Sequence, residues 1–247
     1  AALKASLGAP PVVAGLPLPA FWRQLQRLSK KEEADALGQK VLHFRTKYAW
    51  PLTIPSSDIM SAAASEAFQF LPPRSPTWRP MLVIIPRLLC TAKCPMEQYH
   101  KLAMFMLEAN FRADMEYPDG AGLLVIVDLR GVSSSLGRSA MSSFTDLGRA
   151  AAMCRGCLPT SISCVHFIES ESPSSFTKAI VSMLMSNLSS KVLARVKYGD
   201  HRALVEAVGV EELPLSLGGL RDGAAEWRRW MQAWKTQEAV LGVAPSN

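Results

Sequence analysis

The sequence predicts an α/β domain in which helices cover a mixed, mostly parallel sheet, with a small helical subdomain ahead of it. Three observations lead there. Apolar runs of strand length at 81–85, 123–127 and 162–168 alternate with amphipathic stretches of helical period, which is how βαβ units read in a sequence. The run 123–127 shows no polar alternation, as a strand covered on both faces requires. Hydrophobic residues make up 49% of the chain and charged residues 19%, enough for a sizeable core and unlike a disordered chain.

The first residues, 1–19, carry Pro10, Pro11, Pro17 and Pro19 among small apolar residues without helical period. They read as an extended arm that packs only if a surface is offered. From Ser29 the pattern is helical: Ser29 and Glu32 have capping-box spacing, and Leu37, Val41, Phe44 and Tyr48 follow on one face up to Trp50-Pro51. A second helix is expected after Ser57-Asp58, through Ala62 to Phe68, ended by Leu71-Pro72-Pro73. The helical subdomain is therefore drawn at 20–73.

The α/β part is drawn at 74–222. It opens with the strand 81–85, closed by Pro86, and a helix over 96–115 presenting Tyr99, Leu102, Phe105, Met106 and Ala109. The turn Pro118-Asp119-Gly120 leads into the run ending at Asp128, a central strand. A helix over 135–153 sets Leu136, Ala140, Phe144, Leu147 and Ala151 in register, and a strand over 162–168 follows. The next helix starts at Pro173 and carries Phe176, Ile180, Met183, Leu184 and Leu188, with a strand expected over 192–198. In the last segment, 223–247, Trp227, Trp230, Met231 and Trp234 share one helical face, which must be covered.

A net charge of +6 favours acidic partners, among them anionic membrane surfaces. No recognition-helix, zinc-finger or aromatic-plus-basic RNA motif is present, so no nucleic-acid partner is expected. Five cysteines, an odd number at low density, point to a reducing compartment. The apolar runs fall well short of the roughly 20 residues that span a bilayer. The expectation is an intracellular protein, soluble or peripheral to a membrane, cytoplasmic or organellar after processing.

Catalytic patterns are weak. His43, His100, His166 and His201 fall on separate elements without a nucleophile motif beside them. The segment Gly131-Val-Ser-Ser-Ser-Leu-Gly137 stands where a phosphate loop would sit but lacks its Lys and its spacing. Cys90 and Cys94 with Cys154 and Cys157 form a CxxxC and a CxxC; independent thiols are the better reading of that spacing than four zinc ligands. Asp128, at a strand end before a turn, reads as a cap for that turn. No enzyme activity, metal or cofactor is expected.

The element order, together with Gly122-Leu-Leu-Val-Ile-Val-Asp128-Leu-Arg-Gly131 and the terminal Leu213-Pro214-Leu-Ser-Leu-Gly218-Gly219, resembles the CRAL-TRIO lipid-binding family. Leu158-Pro159 before the strand over 162–168 is similar to the family's Tyr-Pro-Glu-Arg segment, and the helix over 176–188 stands in the place of its gate. The resemblance implies non-catalytic binding, and intermembrane transfer or sensing, of one hydrophobic ligand, a phospholipid or isoprenoid, behind that gate. It implies a pocket lined by Phe144, Leu147, Val165, Phe167, Phe176, Ile180, Met183 and Leu184, with Lys178 and Lys191 meeting the headgroup. Thr160 departs from the acidic residue of phosphatidylinositol-binding members, whereas Lys191 matches their basic one. The alternative reading is a scaffold subunit with the same fold and no transfer activity, using the N-terminal arm and the Trp helix for a protein partner.

Overall fold

The computed structural model describes residues 12–28, 31–47, 54–74, 79–89, 93–116, 122–132, 162–169 and 190–241, with Lys178, Val181, Ser182, Met185, Ser186 and Leu188. Five strands form the main sheet: β3 (Phe68–Leu71), β4 (Met81–Ile84), β5 (Leu123–Asp128), β6 (Ile162–Ile168) and β7 (Val196–Gly199), side by side in that order. Strand β3 runs antiparallel to β4, and all later pairs are parallel. The sheet is thus mixed and mostly parallel, with helices around it, as the sequence predicts. Every residue of β5 is buried, which suits its central place.

The small sheet of β1 (Val12–Val13) and β2 (Leu16–Pro17) turns back on itself through Ala14 and Gly15, both at positive φ, the backbone that a two-residue hairpin of type I′ demands. Its apolar side chains enter the core, and a Cβ on Gly15 would lie 2.9 Å from the Trp234 ring. A surface is thus offered to residues 12–17 by the C-terminal helix. Helix α1 (Leu18–Leu28), an element that the sequence reading passes over, packs on α2 (Lys31–Lys47) where Gly38 leaves space for the Trp22 ring. Its Gln24 Nε2 donates to the Phe111 carbonyl at 2.9 Å, tying it to α4 (Met96–Glu116). The helix expected over 96–115 is there as α4, with its five named apolar residues buried.

Three expectations need correction. The helix expected after Ser57-Asp58 and through Ala62 to Phe68 stops earlier: α3 is Met60–Ala64, and Phe68–Leu71 pairs with β4 as an edge strand. Phe68 and Phe70 point to one face and Gln69 and Leu71 to the other, a period of two that four residues show too briefly to outweigh the alanine-rich run before them. The strand drawn over 192–198 is β7 at Val196–Gly199, because Ser190–Leu193 forms the one-turn helix α5. Finally, the Trp face of the last helix, α7 (Gly223–Leu241), is core and offers no surface to a partner. Trp227, Met231 and Trp234 are buried, Trp227 Nε1 donates to the Ala63 carbonyl, and Trp230 packs on Phe70 and Phe105.

Helix α6 (His201–Val208) is capped by Asp200, whose carboxylate accepts from the Ala203 amide. After it the chain closes the turn Leu213-Pro214-Leu-Ser-Leu-Gly218-Gly219 back on itself. Gly218 has φ of +73°, and a Cβ on Gly219 would fall 1.9 Å from the Leu213 carbonyl oxygen, so both glycines are demanded by the backbone. Arg221, fully buried, then pairs with Glu226 and donates to the Pro72 carbonyl at 3.1 Å, anchoring the turn to the end of β3.

Candidate functional site

Register decides which side chains share a face. Across the sheet, Phe70, Leu82, Val125, Val165 and Val196 form one row, and Phe68, Ile84, Val127, Phe167 and Tyr198 the next. Together they make a front face with no polar group but the Tyr198 hydroxyl. The Phe167 and Tyr198 rings stack with centroids 5.4 Å apart, and Tyr198 is 49% exposed, so the second row runs from core to surface. A floor of this kind suits apolar matter, whether protein side chains or a ligand's tail.

Of the residues that the resemblance places in the pocket, Val165 and Phe167 lie on this front face, adjacent in the two rows. Phe144, Leu147, Phe176, Ile180, Met183 and Leu184 lie outside the described residues. Within the expected gate, Lys178, Val181, Ser182, Met185 and Ser186 have helical backbone. Val181 is buried and Met185 half-buried, both against the cluster that contains Val165 and Phe167, while Lys178, Ser182 and Ser186 are exposed. Lys191 is exposed on α5. Val181 and the front-face residues of β4 and β5 were missed from sequence. The parity of strands β4 and β5 relative to Val165 would have found Leu82, Val125 and Val127.

At the C-terminal end of β5, Asp128 is wholly buried. Its Oδ1 accepts from the Arg130 amide at 3.2 Å and from Arg130 Nε at 2.7 Å, and its Oδ2 from Arg87 at 2.5 Å. Burial pushes its carboxyl up, but the hydrogen bonds from Arg130 and Arg87 outweigh that and hold it below its ordinary value. With its lone pairs spent on two arginines, this carboxylate locks a turn, as read from the sequence, and is no free acid or base.

Among the described residues the four histidines do not converge on a nucleophile. His43 is exposed on α2, His100 half-buried on α4, His166 buried on β6, and His201 contacts the Leu217 carbonyl. Cys94 and Cys164 are buried and in no disulfide; Cys90, Cys154 and Cys157 lie outside the described residues. Among the described residues no three His, Cys, Asp or Glu side chains gather as metal ligands, and no helix is long and apolar enough to cross a membrane.

The apolar front face of the mostly parallel sheet, Val181 and Met185 thus belong to one hydrophobic cluster. A family model described as the CRAL/TRIO domain matches residues 65–219, well over half of the chain. The chain belongs to the CRAL/TRIO family, and membership supports lipid binding in general. Among solved structures, the crystal structure of Sfh5 is similar, with a TM-score of 0.55 over 87% of this chain and 81% of that one. At 8% identity this likeness is one of fold. No curated protein matches the chain.

Proposed function

We propose that this chain binds a single phospholipid or isoprenoid molecule on the front face of its sheet, enclosing it without making or breaking a bond. Transfer between membranes, or sensing, follows when the segment 176–188 opens at an anionic surface. The observation that carries the reading is the pair of uninterrupted apolar rows ending at Val196 and Tyr198, set in a family of lipid-binding domains. An acyl or prenyl tail gains about 0.8 kcal/mol for each CH₂ taken out of water, so a long tail is held firmly until a bilayer competes for it. Lys178 and Lys191, both exposed, would meet anionic headgroups.

Mass spectrometry of organic extracts of the purified protein tests this directly. One lipid per chain is expected. Extracts without a stoichiometric lipid would leave the fold serving as a scaffold only, whereas unchanged vesicle-to-vesicle exchange in the Met183→Asp/Leu184→Asp variant would remove the gate assignment.

A further inference from the structure

The back of the sheet differs from its front. In the row Gln69, Val83, Ile126, His166 and Lys197, the last two positions are basic, although the same row is aliphatic one and two strands away. Helix α6 and the turn that follows cover the middle of this face with Leu204, Leu213 and Leu217. Toward the N-terminal ends of the parallel strands the described residues leave a cavity of about 410 Å³. Its floor is Met81, Leu124 and Cys164, and Val208 forms part of the wall toward α6.

The polar groups on this cavity are out of balance. His166 lines it and is only 8% exposed. Lys197, exposed at the rim, is its direct cross-strand neighbour, and burial together with that ammonium group holds the His166 imidazole below its ordinary value, neutral at pH 7. Arg79 also lines the cavity, and neither it nor Lys197 has an ion-pair partner among the described residues. The fourth group, Glu212, is 3.8 Å from Arg221, and its Oε1 is buried without a hydrogen bond. Burial pushes the Glu212 carboxyl up to about 7 against the pull of Arg221 and Arg74. At neutral pH it is protonated in a large share of molecules, which weakens its repulsion of an anion.

We propose that this back-face cavity is a second ligand site, for a small phosphate-bearing molecule whose phosphate lies among His166, Lys197 and Arg79 and whose body rests on Met81, Leu124 and Val208. A phosphate monoester carries close to two charges and offers three acceptor oxygens, which suits a cavity lined by three possible donors better than a carboxylate does. The volume is in the range of ordinary small-ligand pockets, roughly 300–1,000 Å³. The site lies on the opposite face from Val165 and Phe167, so it stands independently of the lipid reading.

Calorimetry with phenyl phosphate as the probe, and benzoate as the carboxylate control, tests the site in the full chain. Phenyl phosphate is expected to bind more tightly than benzoate, with affinity falling at least tenfold in Lys197→Glu and in the exposed-site variant Arg79→Glu, and unchanged in Lys191→Glu. No binding of phenyl phosphate to the parent chain, or equal affinity in Lys197→Glu, Arg79→Glu and parent, overturns the proposal. A further arm separates the two sources of phosphate. Vesicles containing phosphatidylinositol 4-phosphate that displace phenyl phosphate, when phosphatidylcholine vesicles do not, assign the site to a lipid headgroup; failure of both assigns it to a soluble phosphate ester.

Discussion

Ser56 and Glu238 lie 182 positions apart, yet the Glu238 carboxylate accepts from the Ser56 amide at 2.8 Å and from its hydroxyl at 2.5 Å. Trp234 Nε1 donates to the same carboxylate at 2.6 Å. This buried contact fastens the end of α7 to the short helical turn ahead of α3, and so closes the helical part over the sheet. In Glu238→Ala the Ser56 amide and the Trp234 indole lose their acceptor inside the protein. A loss of about 3 kcal/mol in unfolding free energy is expected, with Glu238→Gln losing less. Urea unfolding followed by Trp fluorescence measures both, and equal stability of Glu238→Ala and parent would remove the clamp.

Gly219 has no room for a side chain, because its Cβ would sit 1.9 Å from a backbone oxygen that cannot swing away. Gly219→Ala is expected to cost about 4 kcal/mol or more. Gly209, whose Cβ would meet nothing within 4 Å but whose φ is +93°, should lose only the smaller cost of its strained backbone when changed to Ala. Thermal melts of the two variants side by side check the order.

The Asp128 carboxyl is held below its ordinary value in the folded state. The stability it contributes is complete above its unfolded pKa of about 4 and is lost as pH falls through the folded value. The stability gap between parent and Asp128→Asn should therefore be constant from neutral pH down to about 5 and close below about 4. A gap that widens on acidification contradicts the assignment.

Glu212 behaves in the opposite sense. Its folded pKa, about 7, lies above the ordinary carboxyl value of 4.5, so the folded state binds the extra proton and stability falls as pH rises between those values. Glu212→Gln should match the parent near pH 5 and be the more stable at pH 8, as differential scanning calorimetry at the two pH values will show. A variant less stable than the parent at pH 8 would mean that the pairing with Arg221 outweighs burial.

Val165, at the middle of the front face, offers a test that needs no gate. If a hollow lies over it, Val165→Trp fills that hollow with little loss of stability and removes the co-purified lipid. If protein atoms already fill the space, overpacking costs about 1–3 kcal/mol and the lipid content does not change.

Much of the fold was legible because it rests on local patterns. The runs of β4, β5 and β6 announce themselves by length and apolarity, α4 by its spacing of Tyr99, Leu102, Phe105, Met106 and Ala109, and the closing turn by two glycines that no other residue can replace. These constraints act within a few residues, so periodicity and backbone conformation suffice to reveal them. The candidate site was legible only in part: β6 supplied Val165 and Phe167, but their companions Leu82, Val125 and Val127 appear once register is known.

Register, burial of charge and long-range pairing belong to the assembled molecule. Phe68–Leu71 is a strand because β4 lies beside it, the three indoles of α7 are core because β3 and α4 receive them, and Ser56 meets Glu238 only when the chain has closed. His166 and Lys197 become neighbours through β6–β7 pairing. Local sequence carries the hydrophobic period of each element, but the free energy that selects its partner comes from surface buried between segments far apart in the chain, and that term exists only in three dimensions.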